Sequence, residues 1–241
     1  MKKAFIITGI ITFILILLAF ILYNLFDNGK FTFVNPNSEK YTIRGIDVSH
    51  HQHTIDWETV KQSNIIFAFI KATEGDDFKD RMFEINWREA LKNDIIPGAY
   101  HFYSLRYSGL SQATNFINTV PDELNTLPPV IDLEYGGNSK IRPSKQYFIE
   151  DLREYIDLIE YHYNKEPILY TTENFYNDYL HPEFADYKIW IRSIFFEPDI
   201  IGFDNWLFWQ YNARGHISGI EGFVDLNVFN GSHEEFNDLL Y

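Results

Sequence analysis

The chain from Tyr41 to Tyr241 predicts an α/β fold, a TIM-like (β/α) barrel with helices depleted in its last third and one transmembrane helix ahead of it. Three observations carry that expectation. Eight short β-rich runs recur along the stretch, amphipathic helical segments separate the early ones, and polar residues fall repeatedly where the runs end. Strand and helix in alternation imply a parallel sheet, and eight strands imply closure into a barrel.

The N-terminal segment is set apart first. Lys2 and Lys3 precede an uncharged run from Ala4 to Tyr23, which Asn24 and Asp27 end. About 20 apolar residues are enough to cross the hydrocarbon core as a helix, and flanking lysines favour the cytoplasmic side. No small-x-small site follows the run, as a cleaved signal peptide would require. The expectation is a short cytoplasmic N-terminus and signal anchor over 1–27, a linker over 28–40, and a barrel domain over 41–241. That domain lies outside the cell membrane on a single-pass anchor, with a cleaved and secreted form as the competing reading.

The strand-like runs are Thr42–Val48, Ile65–Ala72, Ile95–Tyr103, Pro129–Glu134, Pro167–Thr171, Lys188–Ser193, Trp206–Tyr211 and one within Phe223–Phe229. Asp56–Ser63 is a short helix, with Asp56 as its cap, and Asp80–Asn93 and Ser111–Val120 are longer ones. The longest, Pro143–Tyr163, opens on a proline, which the first turn tolerates. It sets Phe148, Leu152, Tyr155, Ile156 and Ile159 mostly on one face. After Thr171 the helical signal fades to a short stretch within Glu173–Leu180.

Composition narrows the function. The chain has no cysteine, so the domain holds itself by packing rather than disulfides. A formal charge of −14 argues against nucleic acid as partner. Aromatic residues make up 18% of the chain, with 16 Tyr and 22 Phe. Most fill a core, and an excess suits stacking on sugar rings.

The chemistry concentrates in Pro129-Val130-Ile131-Asp132-Leu133-Glu134, an apolar strand that ends in two acids. Asp132 and Glu134 leave the same face, with Cα atoms roughly 6.5–7 Å apart by strand rise. Neighbouring carboxyls in a partly dry site do not ionise equally, so one proton is retained. Glycosidic bond cleavage needs such an acid/base pair. In a barrel, reactive residues gather at the C-terminal ends of strands. Asp47 closes the first run, Lys71 and Glu74 the second, His101 the third, and Gln210 and Asp225 come from the last two.

Several segments together resemble glycoside hydrolase family 25, the N-acetylmuramidase lysozymes. Gly45-Ile46-Asp47-Val48-Ser49-His50-His51-Gln52, with Ile55-Asp56-Trp57 after it, looks like the family's opening signature. Phe67 to Gly75, Gly98 to Tyr103, Pro129 to Glu134, Trp209-Gln210-Tyr211 and Gly222 to Asn227 match its later motifs in order. The resemblance runs from about Arg44 to Phe229. It implies a partly helix-depleted barrel that hydrolyses the β-1,4 bond between N-acetylmuramic acid and N-acetylglucosamine. It also implies Glu134 as general acid, Asp132 as its assistant toward the acetamido group or the anomeric charge, and Asp47 and Asp225 completing an acidic rim. Tyr100, Tyr170, Trp190, Gln210 and Tyr211 are the implied sugar contacts. No cofactor or metal is implied, and the partners are peptidoglycan glycan strands and, through the N-terminal helix, the membrane. The catalytic domain is expected to be monomeric.

Plainer readings stand beside these. His50, His51 and His53 with Asp47 would make a poor metal site, because adjacent histidines do not easily share one ion. Glu74 suits a salt bridge to a nearby Lys or Arg, and His101 suits a hydrogen-bonded core position. Arg192 adds positive charge near the rim. His53 stands where relatives commonly carry Gly, a residue that suits an unusual backbone angle. The alternatives to a muramidase are a non-catalytic barrel that binds peptidoglycan or chitooligosaccharide, and a metal-dependent hydrolase on the same barrel.

Overall fold

Eight strands close into a barrel in the computed structural model, which describes residues 2–136, 140–198 and 206–240. Met1 and Tyr241, the outer limits of the expected segments, lie outside the described residues. The ring runs β1 (Arg44–Val48), β2 (Phe67–Glu74), β4 (Ile96–Phe102), β5 (Val130–Leu133), β6 (Ile168–Thr172), β7 (Ile189–Arg192), β8 (Trp206–Gly215) and β9 (Val224–Phe229), and β1 pairs with both β2 and β9 to shut it. A two-residue strand, β3 (Phe78–Lys79), pairs with the end of β2 outside the ring.

One expectation is corrected. The sheet is mixed rather than parallel, because β9 runs antiparallel to both β8 and β1. The stretch 216–223 between β8 and β9 holds no crossover helix, and a parallel return would need a dozen or more residues. The chain therefore turns straight back. Consequently the start of β9, not its end, reaches the rim where the other strands finish.

Helices α2 (Trp57–Gln62), α3 (Phe83–Lys92), α4 (Gly109–Ile117) and α5 (Lys145–Tyr163) are the crossovers of the first half. Asp56 caps α2, its carboxylate accepting from the Thr59 amide at 3.1 Å. Beyond β6, among the described residues, the helices between strands dwindle to α6 (Glu173–Phe175) and one wide turn at Tyr176–Leu180. Helix α7 (His233–Asn237) follows the last strand.

Strand alternation sorts side chains into two cores. Outward residues such as Ile46, Ile70, Ile131 and Leu133 join the helix faces of Phe116, Leu152 and Ile156. Inward residues Phe67, Phe69, Val130, Ile168, Trp190 and Phe208 fill the barrel, and Phe236 and Leu240 plug its base. The Phe69 and Trp190 rings stack with centroids 4.3 Å apart. That much aromatic bulk fits only because the wall lacks side chains at key points. A Cβ on Gly45 would sit 2.3 Å from the Phe67 ring. Gly45→Ala is therefore expected to cost roughly 1–3 kcal/mol by overpacking, read as a lower midpoint in denaturant with an unchanged slope.

Helix α1 (Lys2–Asp27) has its side chains exposed from Phe5 to Tyr23 and meets the barrel through its last turn. The stretch Phe5–Asp27 is long and apolar enough to cross a membrane.

Candidate active site

The rim at the C-terminal ends of the parallel strands encloses a cavity of about 460 Å³. Asp47 enters it from β1, Tyr100 and Phe102 from β4, Asp132 from β5, and Glu134 from the residue just past that strand. Tyr170, Trp190, Arg192 and Gln210 arrive from β6, β7 and β8, with Asp225 from the start of β9. Pairing register explains the convergence. Asp132 lies beside Tyr170 and Tyr170 beside Trp190 on successive strands, and Asp225 lies directly across from Asp47.

Asp47 is the hub. Its Oδ2 accepts from Gln210 Nε2 at 2.9 Å and from Asn227 Nδ2 at 2.7 Å. Behind these amides, Tyr170 donates to Gln210 Oε1 at 3.0 Å and Trp190 Nε1 donates to Asn227 Oδ1 at 2.8 Å. Tyr170 and Trp190 are thus tied to one carboxylate through the amides of Gln210 and Asn227. Burial pushes the Asp47 carboxyl up to about 6, while the amides and the Arg192 charge pull the other way. Asp225 is held well above the usual carboxylate range by burial and then by the Asp47 charge. Their shared hydrogen bond raises Asp225 and lowers Asp47, so Asp225 is the partner that keeps the proton.

The second acid pair obeys the same physics. Asp132 is 8% exposed, and burial followed by the Glu134 charge drives its carboxyl well up. Glu134 is raised chiefly by burial, with Arg192 and Lys71 partly offsetting it and Asp47 adding to it. The Asp132–Glu134 pair therefore retains a proton above the ordinary carboxylate range. Asp132 Oδ1 is buried without a hydrogen-bond partner among the described residues.

Eight of the nine expected site residues line this one cavity. Tyr211 does not. Alternation along β8 turns Gln210 inward and Tyr211 outward, where its ring lies 5.9 Å from Trp209 and its hydroxyl accepts from Arg44 Nη2 at 3.2 Å. It lines instead the neighbouring cavity, which shares Arg192 and Ala213 with this one. Phe102 and Ala213 line the cavity without having been singled out. Phe102 was within reach, since it shares a strand face with Tyr100. Asn227 is the buried link between Trp190 and Asp47.

Lys71 pairs with Glu74 at 2.6 Å. His101 is wholly buried, with Nδ1 2.7 Å from Thr73 Oγ1 and Nε2 3.2 Å from Gln112 Oε1. Burial lowers it to about 3, so it stays neutral. His50 Nδ1 lies 2.6 Å from Asp80, whose carboxylate also accepts from the His50 amide. The turn His50–Gln52 is closed by a reciprocal Ser49–Gln52 cap. His53 ends it at φ 53° and ψ −131°, a conformation natural to glycine and strained for a side chain. His53→Gly is expected to stabilise the domain by about 1 kcal/mol; an unchanged or lower melting temperature would refute the strain.

The sequence profile of the glycosyl hydrolases family 25 matches residues 46–220, which span the rim residues from Asp47 to Gln210. The chain belongs to this family. A solved family 25 glycosyl hydrolase from Bacillus anthracis superposes with a TM-score of 0.80 at 41% identity, covering 86% of this chain and 97% of that one. Lysozyme M1 of Streptomyces globisporus is 34% identical over 203 residues, 79% of this chain and 68% of its own length. The uncharacterized protein YegX of Escherichia coli (strain K12) is 37% identical over 201 residues, 81% of this chain and 72% of YegX. Within family 25, then, this chain is a glycoside hydrolase whose cavity holds four carboxyls and one guanidinium.

Proposed function

We propose that this hydrolase is a muramidase that cleaves the β-1,4 bond between N-acetylmuramic acid and N-acetylglucosamine in peptidoglycan. The observation that carries the reading is the gathering of Asp47, Asp132, Glu134 and Asp225 in one half-enclosed cavity, where burial raises Asp132, Glu134 and Asp225 above the ordinary carboxylate range. Similarity to Lysozyme M1 supports the substrate.

In this reading Glu134 is the general acid that protonates the leaving oxygen, as its raised proton affinity suits. Asp132 steers the acetamido group of the substrate, and its unpartnered, buried Oδ1 is a ready partner for that group's N–H. Asp47 supplies negative charge toward the developing positive charge at the anomeric carbon, and Asp225 keeps it oriented. Tyr100, Tyr170, Trp190 and Gln210 are the sugar contacts. The catalytic domain is a monomer that works outside the cell membrane, anchored by α1. The uncharged run Ala4 to Tyr23, within a helix long and apolar enough to cross a membrane and with Lys2 and Lys3 before it, supports the anchor.

Purified peptidoglycan incubated with the chain, reduced and analysed by mass spectrometry, tests the activity. New N-acetylmuramic reducing ends are expected. Glycan bound but uncut would instead favour the non-catalytic barrel.

A further inference from the structure

The last turn of α1 is docked on the barrel through a built contact. The helix ends in paired reverse bonds, Lys30 N to Leu25 O at 2.8 Å and Gly29 N to Phe26 O at 3.0 Å, around Gly29 at φ +65°. A Cβ on Gly29 would lie 2.2 Å from the Arg214 carbonyl and 3.2 Å from the Phe223 ring. The two backbones therefore touch where any other residue would force them apart. Arg214 Nη1 donates to the Asp27 carbonyl at 2.5 Å and pairs with its carboxylate at 2.8 Å, a cation at the negative end of a helix.

The surface met there belongs to the catalytic rim. Arg214 is near the end of β8, the strand that sends Gln210 into the active cavity. A second cavity of about 200 Å³ lies between the segment after α1 and this rim, and Arg192 and Ala213 line both cavities. Around the dock, Phe33, Phe195, Phe196 and Phe223 are 38–57% exposed, with Phe195 neighbouring both Phe33 and Phe196.

Resting on the reading of α1 as an anchor, we infer that the catalytic rim is the membrane-facing side of the domain, seated at the lipid interface by the α1 dock and these phenylalanines. A helix of 23 residues rises about 34 Å, a little more than the hydrocarbon core. Its last turn, and the rim fastened to it, then lies at headgroup level, where exposed aromatic rings are favoured. The mouth of the cavity opens beside the bilayer, so the glycan it receives runs along the outer membrane surface rather than deeper in the wall.

The absence of cysteine makes the test direct. The full chain carries a single cysteine at Glu221, beside Phe223 on the rim side, or at Glu234 on α7, at the base. Each is labelled with a fluorophore and reconstituted into phosphatidylcholine vesicles with or without doxyl-labelled lipid. Quenching at least about threefold stronger at 221 than at 234 is expected; equal quenching, or the reverse order, overturns the orientation. Gly29→Val, which breaks the dock, should erase that contrast while leaving hydrolysis of soluble glycan chains unchanged, and a preserved contrast overturns the role of the dock. Flotation of the vesicles reads the anchor separately: a chain that does not float removes the anchor and the orientation together. Flotation without contrast removes the orientation alone, and hydrolysis by the same preparation reports on the muramidase independently.

Discussion

Glu134→Gln is expected to leave the barrel folded and to lower glycan hydrolysis by about a thousandfold. The amide is isosteric and still fits the rim, but it has no proton to give. General acids at such positions contribute roughly 10²–10⁴-fold, and a glycosidic leaving group needs protonation to depart. The side chain sits just past β5 with burial already holding its proton, so removing the acid removes a function and relieves a strain at once. The melting temperature should therefore hold or rise slightly. Reducing-end release and thermal unfolding, measured on the same preparation, separate the outcomes. Loss of activity together with loss of fold would mean that Glu134 is structural, and retained activity would move the acid elsewhere on the rim.

The position of this acid was legible because strand chemistry is local. A run such as Val130-Ile131-Asp132-Leu133-Glu134 declares its burial by its apolar stretch and the shared face of its acids by their spacing of two, and all eight barrel strands overlap runs readable in the sequence. The direction of β9 was not legible, since an isolated strand pattern reads the same in either sense. Only the lack of a helix between Gly215 and Val224 hinted at the reversal. The motif Trp209-Gln210-Tyr211, read as a block, hides the fact that neighbours in a strand point apart, so that Gln210 and Tyr211 line different cavities. The buried amides Gln210 and Asn227, joined on Asp47, lie 163 and 180 residues from it in sequence. No local pattern announces a hydrogen bond of that span. Asp80, which read as the start of a helix, is a buried partner for His50, and it too depends on the fold for its meaning.

Asp47→Asn should uncouple stability from activity. Asp47 rests at the convergence of two amide donors and the Asp225 carboxyl, and its folded-state proton affinity stands at about 6 against an ordinary 3.8. The folded protein thus holds this proton more tightly than the unfolded chain does. For this group, stability is greatest below pH 4, falls as pH rises from about 4 to about 6, and stays low above that. Each tenfold change in proton affinity is worth about 1.4 kcal/mol, which puts the full loss near 3 kcal/mol. Asp132, Glu134 and Asp225 are displaced upward as well, and each adds a decline of the same sign as the pH climbs further. An asparagine at position 47 keeps a carbonyl for Gln210 and Asn227 but carries no charge to be penalised. At pH 8 the variant should melt several degrees above the parent, and at about pH 3.5 the two should nearly coincide. Hydrolysis should fall about a hundredfold, because the negative charge offered to the transition state is gone. An unaltered pH dependence of melting in the variant would show that Asp47 is not the group that sets it. Higher stability with lower activity would mean the barrel keeps a buried charge at a cost to its own fold, because the reaction needs that charge there.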